Sequence, residues 1–186
     1  MRIVGGEFRG RPLAAPDSRD IRPTSDRLRQ TLFDILMHAY PDHVRGARIL
    51  DLFAGTGALG LESLSRGAAH ALFVEEDVEA RGLIRRNIET LGLTGRTRVF
   101  RRDATRLGDA GTVPSFDLVF CDPPYGRALG EKAMTSALAG RWFNPGAICV
   151  LEESAKASVE VIDGFEQFEA RRIGDSQLCF FRLATG

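Results

Sequence analysis

Between residues 48 and 153 the chain returns five times to a short, continuous apolar run: "RILDLFA" (48–54), "HALFVEE" (70–76), "TRVFRRD" (97–103), "FDLVFCD" (116–122) and "AICVLEE" (147–153). Helical spacing fills several of the gaps. "ALGLESLSRG" (58–67) reads as a helix ended by Gly67, and Asp77 can cap a second helix whose Ile84, Ile88 and Leu91 share one face. Strands without polar alternation must be buried on both faces, which a parallel sheet covered by helices provides. Two later strands, 158–173 and 177–183, leave little room for a long helix between them, and Gly174-Asp175 suits a hairpin turn. The expectation is an α/β fold: a Rossmann-like, mostly parallel seven-stranded sheet with a terminal antiparallel hairpin, so that one antiparallel strand lies at or near an edge.

Residues 1–46 do not share this pattern. "RIVGGEFRGRPL" reads as a short, glycine-broken hairpin, "IRP" as a linker, and "TSDRLRQTLFDIL" as a capped helix with Leu28, Leu32, Ile35 and Leu36 on one face. Two units are therefore expected: an N-terminal extension over 1–46 and an α/β domain over 47–186.

A chain of 186 residues, 44% hydrophobic and 27% charged, has the composition of an ordinary soluble globule with room for a sizeable core. The formal net charge is zero, so a globally basic nucleic-acid binder is not indicated. A locally basic face remains open, because residues 1–30 carry seven arginines against four acids. Cys121, Cys149 and Cys179 form no C-x-x-C pair and sit in apolar runs, as buried thiols do. The start has no apolar signal region, and no apolar run reaches about 18 residues. A cytoplasmic location is expected, with no membrane association and no bound metal.

"DLFAGTGALG" (51–60) holds G-x-G-x-x-G between a strand and a helix. Many nucleotide sites share that signal, and a tight turn without a ligand would produce it too. The acid decides the ligand class. A pyrophosphate at the helix N-terminus would be repelled by Asp51, whereas a ligand carrying an ammonium and a sulfonium would be attracted. S-adenosylmethionine is such a ligand. Glu75 ends the second strand, where a carboxylate can accept both ribose hydroxyls, although a nicotinamide cofactor would want an acid there as well. Asp103 ends the third strand and can accept from the adenine amine. Open parallel sheets bind ligands outside their strand C-termini, where Asp51, Glu75, Asp103 and Asp122 all fall. Phe53, Gly55, Gly57 and Ala104, beside these acids, complete the candidate donor-binding set.

"FCDPPYG" (120–126) ends the fourth strand with a carboxylate and a rigid pair that lacks N–H donors. An exocyclic aromatic amine is a poor nucleophile because its lone pair is delocalised. Acceptors at its N–H groups favour a pyramidal nitrogen and stabilise its growing charge. Asp122 is one acceptor, the Pro123 carbonyl, held by the stiff Pro123-Pro124 unit, is the natural second, and Tyr125 can stack on a flat base. Cys121 precedes the acid in strand phase and reads as core. Nitrogen methylation needs no cysteine nucleophile.

These residues resemble the amino-methyltransferases of the class I S-adenosylmethionine-dependent fold. Together, "RIVGGEFRGRPL", "RPTSDRLRQTLFDIL" (22–36), "DLFAGTGALGLESLSRGA" (51–68), "FVEED" (73–77) and "FCDPPY" (120–125) resemble the bacterial RsmD family. The resemblance covers most of the chain and is weakest over 104–115 and 155–186. It implies methyl transfer from S-adenosylmethionine, with S-adenosylhomocysteine as product, to N2 of a guanine in 16S ribosomal RNA, with guanine 966 as the expected nucleotide. The partner is then 16S rRNA or the assembling small subunit, and the enzyme a monomer. By the same resemblance, Asp51, Gly55 and Gly57 hold the methionine part of the donor, Glu75 the ribose and Asp103 the adenine. Asp122, Pro123 and Tyr125 hold the amine, and Arg9, Arg11, Arg22 and Arg27 face RNA, although a solvated charged face would also explain these arginines. Asp stands first in the motif where many adenine- and glutamine-specific relatives have Asn. A DNA or other amino-methyltransferase acting on adenine N6 or cytosine N4, a nicotinamide-dependent oxidoreductase and a non-catalytic RNA-binding module are the competing readings.

Overall fold

A computed structural model describes residues 1–17 and 24–186. Seven strands form one sheet: β1 (Arg48–Leu52), β2 (His70–Val74), β3 (Thr97–Phe100), β4 (Phe116–Cys121), β5 (Phe143–Ser154), β6 (Phe165–Ile173) and β7 (Ser176–Leu183). Their order is β3-β2-β1-β4-β5-β7-β6. The pairs from β3 through β5 are parallel, and β7 runs antiparallel to both β5 and β6, one place in from the edge. Helices α1 (Asp26–Ala39), α2 (Ala58–Ser65) and α3 (Val78–Leu91) pack with one face of the sheet, and α4 (Leu129–Ala139) with the other. Among the described residues no helix is long and apolar enough to cross a membrane.

Register sets the heights of the strand ends. Leu52 lies opposite Val74 on one side and Cys121 on the other, and Cys121 lies opposite Leu151. The next residues are Phe53, Glu75, Asp122 and Glu152. They emerge at one level, on either side of the point where the strand order reverses, which is where open α/β sheets bind ligands.

The structure departs from the sequence expectation in five places. Strand β3 ends at Phe100, three residues before the Asp103 expected to close it. The N-terminal hairpin is a single antiparallel bridge, Arg2 to Pro12, flanked by bonds from Ile3 N–H to Arg11 O (2.9 Å) and from Leu13 N–H to Met1 O (3.0 Å). Left-handed Gly6 (φ 76°) and Gly10 (φ 84°) stop it from extending into strands. Helix α4 was not anticipated, although Ala133, Met134 and Ala137 recur at helical spacing and are buried. Strand β5 starts at Phe143 rather than 147, with a register shift against β4 where Asn144-Pro145-Gly146 bulges out. Strand β6 starts only at Phe165, after left-handed Gly164 (φ 84°).

The N-terminal segment is bound to the helices. Ile3 and Leu13 are buried in the cluster that holds Leu28, Phe33 and Phe120. Buried Glu62 of α2 accepts from the Val4 N–H (3.0 Å), the Gly5 N–H (2.8 Å), Arg66 Nε (2.9 Å) and Arg29 Nη1 (3.4 Å). Ser65 Oγ donates to Gly5 O (2.6 Å) and accepts from Phe8 N–H (2.9 Å). The fit is close at Gly6, where a Cβ would stand 2.0 Å from Ser65 O. Asn87 of α3 exchanges two hydrogen bonds with the Ala14 backbone. On α1 the Ser25 hydroxyl caps Leu28 N–H (3.1 Å). Leu28, Leu32 and Leu36 are buried as expected, Ile35 is half-buried, and Phe33 and Arg29 join the buried face.

Candidate active site

The turn after β1 is built from left-handed residues. Phe53 (φ 55°), Gly55 (φ 58°) and Gly57 (φ 79°) carry the chain from strand to helix in five residues. For phenylalanine that conformation is strained, and such strain gathers at ligand sites. The three glycines of the motif divide by task. A Cβ on Gly60 would lie 2.4 Å from the Phe73 ring, and one on Gly57 3.2 Å from it, so both let α2 approach β2. A Cβ on Gly55 would meet nothing within 4 Å, and Gly55 lines a cavity of about 440 Å³.

Asp51 is buried on the wall of that cavity and accepts from the Gly60 N–H at 3.1 Å. Burial pushes its carboxyl up to about 8. The Gly60 bond opposes that rise and nearby Glu75 adds to it. A buried acid in this condition is matched by a ligand that brings a cation. Glu75 accepts from Gly55 N–H (2.8 Å) and Asp77 N–H (3.0 Å), one bond to each oxygen, which fixes its carboxylate on the cavity lining.

The second wall is the turn after β4. Asp122 Oδ2 accepts from the Thr24 hydroxyl at 2.8 Å. Burial, then the charge of Glu152, holds the Asp122 carboxyl well above the usual carboxylate range, against the opposing Thr24 bond. The Tyr125 hydroxyl donates to Glu152 Oε1 at 2.6 Å and lies 2.9 Å from Ser176 Oγ, which is itself 3.3 Å from the same carboxylate oxygen. Burial and that carboxylate raise the Tyr125 phenol, so it stays a donor.

One cavity thus brings together Asp51, Phe53, Gly55, Glu75 and the run Asp122-Pro123-Pro124-Tyr125. Gly57, Asp103 and Ala104 do not line it. Asp103 Oδ1 instead caps a short 3₁₀ turn, accepting from Thr105 N–H (2.8 Å) and Oγ1 (2.7 Å), bonds that lower its carboxyl. Arg9, Arg11 and Arg27 are exposed, and Arg11 Nη2 also donates to Thr90 O at 3.0 Å. Arg22 lies outside the described residues. Sequence reasoning missed Thr24, Glu152 and Ser176. Glu152 had a signal, since it closes the fifth apolar run as the other acids close theirs. The three cysteines are buried and unpaired. Among the described residues no group of three His, Cys, Asp or Glu side chains could hold a metal ion.

The family model Conserved hypothetical protein 95 matches residues 1–182. Ribosomal RNA small subunit methyltransferase D of Escherichia coli (strain K12) is 39% identical over 163 residues, covering 87% of this chain and 79% of that protein. The protein of the same name from Haemophilus influenzae is 35% identical over 154 residues, covering 82% and 78%. Among solved structures, the putative methyltransferase yhhF from Escherichia coli superposes with a TM-score of 0.83 at 31% identity, over 98% of this chain and 97% of that one. The sheet order and terminal hairpin are those of the class I S-adenosylmethionine-dependent methyltransferases. The chain belongs to the Conserved hypothetical protein 95 family, the RsmD methyltransferase family.

Proposed function

We propose that the protein transfers a methyl group from S-adenosylmethionine to the exocyclic N2 of a guanine in small-subunit (16S) ribosomal RNA, with guanine 966 as the expected nucleotide. The observation that carries this reading is the single cavity with a cation-seeking acid, a glycine loop and a ribose-height carboxylate on one wall, and Asp-Pro-Pro-Tyr on the other. The names of the relatives support ribosomal RNA as the substrate. The cavity volume is in the range of small-molecule sites.

When bound, S-adenosylmethionine supplies an electrophilic methyl group on a sulfonium. Asp51 and Gly55 hold the methionine part, Glu75 the ribose, and Asp103 with Ala104 the adenine end, beyond the cavity described above. Asp122 and the Pro123 carbonyl accept from the two N–H groups of the target amine, and Tyr125, anchored through its hydroxyl, lies against the base. The two walls would present donor and target amine to each other, so most of the rate enhancement would come from positioning. Mass mapping of 16S rRNA, and of small-subunit assembly particles, after incubation with the protein and the donor tests the reading. N2-methylguanine is expected. N6-methyladenine, N4-methylcytosine or no incorporated methyl group would overturn it.

Donor binding should expel a proton. At pH 6.5 the ligand-free Asp51 is mostly protonated, because its value is raised to about 8. A cation placed beside it favours the ionised form. Titration calorimetry at pH 6.5, in buffers of different ionisation enthalpy, should therefore show release of most of one proton on binding S-adenosylmethionine. Asp51→Asn should release none. Equal release from both proteins would place the cation elsewhere.

The N-terminal segment is proposed to face RNA. Replacing Arg9 and Arg11 with alanine should raise KM for RNA several-fold and leave donor affinity unchanged. If each arginine meets one phosphate, the log–log salt slope should flatten by about 1.4, at roughly 0.7 per single-strand contact. A wild-type KM at every salt concentration would mean that both side chains are merely solvated.

A further inference from the structure

The Asp-Pro-Pro-Tyr motif does not stand alone in the structure. Strand β5 places Glu152 level with Asp122, both line the same cavity, and the charge of Glu152 bears on the Asp122 carboxyl. The same glutamate fixes Tyr125 and Ser176 through Oε1. Glu152 is 7% exposed, and that exposure opens on the cavity. An acid so nearly removed from water is costly to keep unless it is bonded and used.

Methylating a neutral amine creates a proton to be disposed of. The nitrogen–carbon bond forms as the carbon–sulfur bond breaks, and its electron pair stays on sulfur. The nitrogen then carries one hydrogen too many. We infer that Asp122 and Glu152 form one proton-accepting pair, in which Asp122 takes the proton from the amine and Glu152 is the positioning residue that shares it and anchors Tyr125. This rests on the amine-methylation reading above. Two carboxylates side by side in a cavity hold one proton between them and still present one basic oxygen. The proton leaves to solvent once the product has gone. Among the described residues, the other titratable groups facing the pair are Asp51 from β1, the Tyr125 phenol and the deeply buried Cys121 thiol. Glu153, next along β5, is turned to the Gly126 and Ser154 N–H groups.

The test is the pH dependence of single-turnover methylation, at saturating RNA and donor, for the wild type, Glu152→Gln and Glu152→Asp. The wild-type rate should rise with pH through an acid limb to a plateau. Glu152→Gln removes the like charge that makes Asp122 a stronger base. Its limb should move down by about one pH unit or more and its plateau should fall about tenfold or more, with KM for RNA and donor affinity unchanged. Glu152→Asp should return the limb toward its wild-type position. A residue that only packs would lower the plateau and leave the limb in place, and that result overturns the pair. If Glu152→Gln does not fold, carboxyl ¹³C titration of the wild-type protein decides. Two linked steps, one above the usual carboxylate range, are expected, and two independent ordinary titrations would refute the pairing. Absence of any methylated amine in the wild-type product is a separate failure, because it removes the reaction rather than the pair.

Discussion

Asp122→Ala is expected to reduce methyl transfer by about 10²-fold or more at saturating substrates while leaving donor affinity within about twofold of wild type. The loss is that of a preoriented acceptor, which typically costs this much in rate. Donor affinity survives because Asp51, Gly55 and Glu75 sit on the other wall and share no hydrogen bond with Asp122. The Thr24 hydroxyl loses its acceptor, a small effect at a half-buried position. Single-turnover kinetics with an independent donor-binding titration separate the two quantities. Asp122→Asn should fold as well as wild type and remain impaired, since an amide accepts more weakly and cannot take up a proton. Wild-type turnover in Asp122→Ala would remove the residue from the chemistry.

The largest effect on stability is expected at Glu62→Ala. Glu62 and Arg29 have fully buried side chains, and Arg66 is nearly so. The substitution would leave Arg66 without its carboxylate, reduce Arg29 to its bonds with Asp26 and the Arg2 carbonyl, and unbond the N–H groups of Val4 and Gly5 at once. Even with Glu62 present, Arg29 Nε and Arg66 Nη2 have no hydrogen-bond partner among the described residues. Removing one partner of a buried ion pair typically costs 3–5 kcal/mol, which for a chain of this length is a fall of about 6–20 °C in Tm. Denaturant unfolding measures it. Glu62→Gln, which retains the acceptor oxygen, should lie between the two proteins. A loss below about 1 kcal/mol would show that this carboxylate does not hold the N-terminal segment.

The parts of the molecule readable in the sequence were those fixed by local chemistry. Continuous apolar runs located the first five strands, the capped stretch "TSDRLRQTLFDIL" located α1, and Asp77 marked where α3 begins, because each signal lies within a few residues of its effect. Gly174-Asp175 gave the turn between β6 and β7. What depended on register was hidden. That Glu152 stands beside Asp122 follows from Cys121 pairing with Leu151, a relation across 30 residues that no local pattern encodes. The glycine loop was legible as a motif but not in its division of labour, since Gly57 and Gly60 answer to the Phe73 ring on another strand. Arg29 counted only as one of the seven arginines of residues 1–30, and its burial against Glu62 became visible only once α1 met α2. Asp103 was expected to end the third strand, but β3 stops at Phe100 and the carboxylate serves the following turn.

Helix α2 is eight residues long, about 12 Å at 1.5 Å per residue. Its first turn grows out of the glycine loop, and its later residues, Glu62 and Ser65, carry the N-terminal segment. The helix is therefore a strut with a load at each end. A displacement of residues 4–8 would reach, through a single short helix, the glycine loop proposed to hold the donor. The chain's first residues and the glycine loop are thus joined through one two-turn helix and are not independent parts.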